Sequence, residues 1–324
     1  MSSKTDAMTA SRAAPVRVRD KASVAARVRA RAPTYWRYVR EQPSWIVMFL
    51  FARTLLGRRI ERRLAGAVYR RPLAAPGSVL RGVDKDAALA ALIDTGVYRG
   101  LRLPDAMVHD IAAFAATTPC FARDEQDAGF LPRDVAQANR RRVRDVIAGY
   151  YFEAVEDCPA IRRLSGDPAL RSIAAAYLGH APVLIRIRLW WSFPATRICD
   201  ADLHAVAQEK FHFDMNGWRT LKFFFYLTPT DEKGGAHRCI LGSHRRRALR
   251  HQLTLTVGHT EDALAAVYGR ESFLTITGDA GTGFAEDPFV FHTGSLCQDR
   301  PRLILELEYG PTQVSPSYRY GRLG

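Results

Sequence analysis

The chain has 324 residues, 47% apolar and 25% charged, which places it among globular proteins with room for one sizeable core and appendages. Its net charge of +14 is concentrated at one end: residues 1–72 carry 17 Lys/Arg against 4 Asp/Glu, and residues 73–324 carry 30 against 29. Five scattered cysteines without a Cys-x-x-Cys pair argue against a disulfide framework or a cysteine zinc site and fit a reducing cytoplasm.

Residues 1–72 are expected to form a basic arm on a body spanning 73–324. Residues 1–33, rich in Ala, Arg, Ser and Val without a sustained apolar face, are expected to be disordered or partly helical. From Pro43 to Arg71 the pattern is helical. The run from Trp45 to Ala52 is uncharged, Leu56, Ile60, Leu64 and Val68 follow at helical spacing, and Arg58, Arg59, Arg62 and Arg63 fall on other faces. Arg53 interrupts the run well short of the roughly 20 residues that a membrane span needs, and its place past residue 40 does not suit an ordinary secretory signal. Two readings stand: the helix lies on an anionic bilayer, peripheral to a membrane, or it packs on the body or on a second subunit. The balance favours packing for Trp45–Ala52 and exposure for residues 1–33.

In the body, Asp84–Asp94 and Asp105–Ala116 read as helices around a Thr95-Gly96 turn, and Asp167-Pro168 opens a helix that Gly179 closes. Arg140–Arg144 is expected to be exposed helix, and Arg245–Arg247 a solvated charge run. Residues 181–193 alternate as a long strand with Arg186, Arg188 and Trp190 on one side, which would bind substrate or co-substrate if it faces inward. Thr220–Thr230 reads as a buried aromatic strand stopped by a proline, and Gly281-Thr-Gly283 as a turn. Pro288–His292 reads as a short apolar strand. Arg302–Tyr309 is a further strand, with Leu303, Leu305 and Leu307 on one face and Arg302 on the other. No P-loop, dinucleotide glycine motif or internal repeat is found.

The chemistry concentrates in Phe-His-Phe-Asp-Met, residues 211–215. His212 and Asp214 stand at i and i+2, so in extended chain they point to the same side. His292 lies 78 positions beyond Asp214, and Arg302 ten beyond that. Two imidazoles and one carboxylate form a facial set that leaves coordination positions open, as in non-haem Fe(II) oxygenases. An arginine just past the last ligand suits the far carboxylate of 2-oxoglutarate. His237, His244, His251 and His259 compete with His292 for the distal position; His292 is preferred for the apolar strand and arginine that follow it.

Lys210–Trp218, Lys222–Thr228, Gly234–Arg245 and the Gly278–Gly283 turn leading to His292, Gly294 and Arg302 resemble the phytanoyl-CoA dioxygenase (PhyH-like) family. The resemblance spans roughly residues 80 to 310 and is strong from 181 to 310. It implies a mainly β core, a double-stranded β-helix (jelly roll) with flanking α-helices, carrying the basic N-terminal helical arm. It also implies His212, Asp214 and His292 as Fe(II) ligands, Arg302 as the 2-oxoglutarate clamp, and O2 as oxidant with release of succinate and CO2. Many members carry a serine where this chain has Gly294, and Ser295 is left out of the set. Related halogenases replace the metal carboxylate with a small residue; Asp214 is present, which favours hydroxylation.

The leading expectation is therefore a dioxygenase acting on a small or medium organic molecule such as a lipid, an envelope sugar or a natural product. The alternative is a non-redox metal-binding jelly roll, cupin-like or non-catalytic, which has no need of a dicarboxylate clamp at Arg302. A nucleic-acid partner is disfavoured by the near-neutral body.

Overall fold

The computed structural model describes residues 16–18, 43–68, 77–206, 208–253, 258–312 and 319–320, with isolated positions between 32 and 40. The expectation for residues 1–33 lies almost wholly outside them. The strands are β1 (Val16–Val18), β2 (Val97–Arg102), β3 (Cys120–Ala122), β4 (Glu125–Phe130), β5 (Ala148–Tyr150), β6 (Val183–Ser192), β7 (Arg197–Cys199), β8 (Leu221–Tyr226), β9 (His237–Ile240), β10 (Phe273–Ile276), β11 (Thr282–Glu286), β12 (His292–Gly294) and β13 (Arg302–Gly310). The helices include α1 (Trp45–Phe51), α2 (Leu55–Val68), α3 (Lys85–Asp94), α4 (Asp105–Thr117), α5 (Val135–Arg140), α6 (Pro159–Ser165) and α7 (Pro168–Leu178).

Eight strands form one antiparallel sheet in the order β2-β11-β8-β13-β6-β5-β3-β4, and β10-β9-β12 form a second. The two face each other through an apolar cluster in which Cys239 and Ile276 of the small sheet meet Phe224, Tyr226, Phe284 and Ile304 of the large one. This mainly antiparallel core with helices outside it is the expected jelly roll.

Strand β13 shows how the sequence divides the two sides. Leu303, Leu305, Leu307 and Tyr309 pack outward against Leu170, Ile173 and Tyr177 of α7 and Leu92 of α3. Arg302, Ile304, Glu306 and Glu308 alternate with them and so share the inner face. Helix α7 is fixed at both ends: Asp167 accepts hydrogen bonds from the Ala169 and Leu170 amides, and Gly179 closes it at φ 72°. Arg186, Arg188 and Trp190 of β6 lie on the inner side as well, because Arg188 pairs with Glu306.

Several local expectations are corrected. Pro288–Phe291 is a turn, and strand pairing begins only at His292; the Phe289 amide donates to the Asp287 carboxylate and the Val290 amide to the Asp287 carbonyl. The glycine turn ends at Thr282, which donates to Asp279 O, and Gly283 already belongs to β11. Helix α5 stops at Arg140, and beyond it Arg142 reaches Asp124 and Glu125 on the β3–β4 hairpin. Arg247 is buried, not solvated: its guanidinium lies 4.0, 3.9 and 4.2 Å from the ring centroids of Phe213, Phe289 and Phe291.

The helix expected from Pro43 to Arg71 is two helices. Thr54 breaks it, its hydroxyl accepting from the Gly57 amide as an N-cap for α2. A Cβ at Gly57 would come 2.1 Å from the Phe51 carbonyl oxygen, so the corner between the helices requires glycine. The Trp45–Ala52 run packs in part: Met48 and Ala52 are buried, whereas Ile46, Val47, Leu50 and Phe51 are exposed. Helix α2 is bolted to the body through Arg58–Asp287 at 2.6 Å and Arg219–Glu61 at 3.3 Å.

Candidate metal centre

Residues 212–214 run beside residues 288–292, the turn that leads into β12. The His212 amide donates to His292 O at 2.9 Å and the His292 amide returns a bond to His212 O at 2.8 Å, so the two histidines face each other across a narrow antiparallel pair. Directly opposed residues project on the same side, which brings the ring centroids to 4.5 Å. Asp214 follows two residues on, and its amide donates to Pro288 O. The turn before His292 is therefore part of the site: it supplies the carbonyl that fixes the backbone of the carboxylate residue.

Each imidazole is oriented from behind. Nδ1 of His212 lies 3.2 Å from Lys210 O, and Nδ1 of His292 lies 2.9 Å from Val290 O and 3.1 Å from Oε1 of Glu286. A proton on each Nδ1 leaves the Nε2 lone pair facing forward. His212 Nε2 is 3.8 Å from Oδ1 of Asp214, His292 Nε2 is 3.7 Å from Oδ2, and one donor atom from each of the three residues falls within 4.8 Å of the others. A modest inward movement brings such a set to the roughly 2.0–2.2 Å at which one first-row ion holds N and O ligands.

Electrostatics favour the ligating forms. Burial pushes the His292 imidazolium down to about 4 and lowers His212 as well, so both rings stay neutral at physiological pH. Burial alone would raise the Asp214 carboxyl; Lys222 and the two histidines outweigh it and hold the group well below the ordinary carboxylate range.

Around the triad lies a set of charges of which only Arg186 and Arg188 stood out in the sequence. Lys222 on β8 places its ammonium 2.5 Å from Asp214 Oδ2 and 3.8 Å from Glu306 Oε2. Glu306 also pairs with Arg188 and stands 3.9 Å from Arg186. Glu286 on β11 holds His237 Nε2 at 2.7 Å with one oxygen and places the other 3.1 Å from His292 Nδ1, and burial pushes its carboxyl up to about 7. A lysine inside the otherwise apolar Leu221–Tyr226, and two glutamates in phase with Arg302 on β13, were the available signals.

The competing histidines are engaged by other partners. His237 is held by Glu286 with its ring stacked on His292 at 5.5 Å, His244 lies 3.2 Å from Ile93 O, and His251 stacks on Tyr268 with the His259 ring tilted against it. Among the described residues, His212, Asp214 and His292 are the one group of three placed to share an ion.

Arg302 is buried on the inner face. One terminal nitrogen donates to Gly235 O and the other to Ser192 Oγ at 2.9 Å, while Nε has no hydrogen-bond partner. Among the described residues no carboxylate pairs with this guanidinium. A buried cation compensated only by neutral acceptors is costly, and an anion entering the barrel would remove that cost.

No family model and no curated protein matches the chain. Solved structures similar to it include the non-haem alpha-ketoglutarate-dependent epimerase SnoN from nogalamycin biosynthesis, at 15% identity and TM-score 0.45 over 69% of this chain and 80% of that one. HygX from Streptomyces hygroscopicus, with nickel and 2-oxoglutarate bound, is similar at 14% identity and TM-score 0.46, over 71% and 88%. AviO1 from Streptomyces viridochromogenes Tue57 is similar at 16% and 0.43, over 70% and 95%. At these levels the functional assignment rests on this chain's own residues.

Proposed function

We propose that the chain is an Fe(II)- and 2-oxoglutarate-dependent dioxygenase that hydroxylates a small or medium organic molecule, a lipid, envelope sugar or natural product. The observation that carries this reading is the combination, between the two facing sheets, of two neutral imidazoles, one ionised carboxylate and a buried arginine that has no counter-carboxylate among the described residues.

His212, Asp214 and His292 would hold the iron, and Arg302 the distal carboxylate of the co-substrate. The bound metal and 2-oxoglutarate would supply oxidising power through reduction of O2, with release of succinate and CO2. The chain's own contribution is orientation. Lys210 O and Val290 O fix the imidazole tautomers, Lys222 keeps Asp214 anionic, and Phe224, Phe284 and Ile304, buried between the sheets, give the inner face an apolar lining.

The alternative, a non-redox metal-binding jelly roll, leaves Arg302 buried without a ligand to meet it. Anaerobic loading with Fe(II), followed by a metabolite screen in air for succinate release matched to a product heavier by one oxygen atom, tests the proposal. Metal binding with no turnover of 2-oxoglutarate under any substrate would favour the alternative.

A further inference from the structure

We propose that the outward face of α1 and α2 docks this protein on an anionic lipid bilayer. The proposal is independent of the reaction proposed above.

Four large apolar side chains of α1, Ile46, Val47, Leu50 and Phe51, are 47 to 56% exposed. On α2, Leu56, Ile60 and Leu64 are 67, 51 and 67% exposed. At 100° per residue the three α2 residues form one continuous stripe about 80° wide. Gly57, Glu61 and Arg58 occupy the sector on one side of it and turn toward the body: Glu61 pairs with Arg219, and Arg58 with Asp287 while lying 4.2 Å from the Phe289 ring centroid. Arg63 and Arg59 flank the stripe on the other side, both exposed. The body therefore holds α2 by its polar sector and leaves the apolar sector facing away.

Charge decides the occupant. Residues 1–72, which contain this face, hold nearly all the chain's positive excess. Apolar side chains edged by guanidiniums match the acyl boundary and headgroups of an anionic leaflet, each basic group near such a surface adding attraction. Among the described residues no helix is long and apolar enough to cross a membrane, so the fitting geometry is one lying in the interface.

The test is co-sedimentation of the full chain with vesicles of phosphatidylcholine alone or mixed with phosphatidylglycerol, at low and high NaCl. The expected result is binding to the mixed vesicles, weakening with salt as screening shortens to about 8 Å at physiological strength. The triple variant Leu56→Asp, Ile60→Asp, Leu64→Asp should keep its circular dichroism spectrum, since these side chains already face solvent. It should bind the mixed vesicles about a hundredfold less well, the loss expected when three apolar anchors leave the interface. Failure of the full chain to bind would overturn the proposal, as would undiminished binding by the triple variant, which would assign binding to the basic segment alone. A concentration-dependent dimer that the triple variant disperses, without vesicle binding, would assign the face to a second copy and overturn it as well.

Discussion

The ammonium of Lys222 lies 2.5 Å from Oδ2 of Asp214, the carboxylate that faces both His212 and His292, and its side chain is 1% exposed. A lysine so buried persists only where anions compensate it, and here Asp214 and Glu306 raise its pKa against burial. Without metal it is, among the described residues, the nearest cation to the carboxylate. Lys222→Met should therefore destabilise the metal-free protein by about 3 kcal/mol, the order expected when one partner of a buried pair is removed. It should also enlarge the rise in melting temperature on adding a divalent ion, because the ion becomes the only cation at Asp214. Melting curves with and without metal check both; an equal metal-induced rise in variant and wild type would separate Lys222 from the site.

Among the described residues Arg302 has no carboxylate partner, so its removal should act on the co-substrate before it acts on the fold. Arg302→Met should raise the KM for 2-oxoglutarate about 10- to 100-fold, the loss of a charge-assisted contact, with metal affinity unchanged. Kinetics at saturating iron read this directly. A variant with unaltered 2-oxoglutarate dependence would remove Arg302 from the site.

Glu286 touches the rear nitrogen of His292 and, with its other oxygen, His237. Outer partners of this kind fix ligand orientation and are worth about 10- to 100-fold in metal affinity. Glu286→Ala should weaken metal binding by that order, and Glu286→Gln, which keeps the shape of the side chain and an oxygen beside Nδ1, should recover part of the loss. Titration with Co(II) or Ni(II) distinguishes the two variants without need of a substrate.

Asp287 ties the turn before His292 to α2 and α7: it accepts from Arg58 at 2.6 Å, from the Tyr177 hydroxyl at 2.5 Å and from the Phe289 amide at 2.9 Å. Burial alone would raise its carboxyl; Arg58, His244 and these hydrogen bonds bring it instead to about 2, below its ordinary 3.8. A carboxyl whose folded pKa is depressed contributes stability above the unfolded value and loses it as pH falls toward the folded one. Stability should thus decline from about pH 4 to about pH 2, Asp287 accounting for about 2 kcal/mol of the loss. Urea midpoints across that range should show a shallower decline in Asp287→Asn than in wild type.

Much of this arrangement could be read from the chain because it is written in short-range spacing. His212 and Asp214 share a side through a two-residue period, and Leu303, Leu305 and Leu307 separate from Arg302 by the same period. Helix α7 announces itself by Asp167-Pro168 and Gly179. The misread segments are those where tertiary contacts override composition. Phe289–Phe291 has the residues of a strand, yet Asp287 captures the Phe289 amide and bends the chain into a turn. Arg247 reads as a solvated charge until three phenylalanines from distant segments close around it. The pairing of Lys222 with Asp214 depends on β8 lying beneath the loop that carries the carboxylate, a relationship no local pattern contains.

The central claim is that the His212–Asp214–His292 triad and Arg302 together turn over 2-oxoglutarate. The most direct measurement is succinate formed from 2-oxoglutarate by anaerobically purified protein on admission of air, with Fe(II) present or chelated, for wild type and Asp214→Ala. The account predicts succinate from wild type that requires both iron and O2, and none above background from Asp214→Ala, while the variant remains folded. Succinate formation that survives chelation or the loss of Asp214, or tight Fe(II) binding by wild type with no succinate in the presence of any screened substrate, would contradict it.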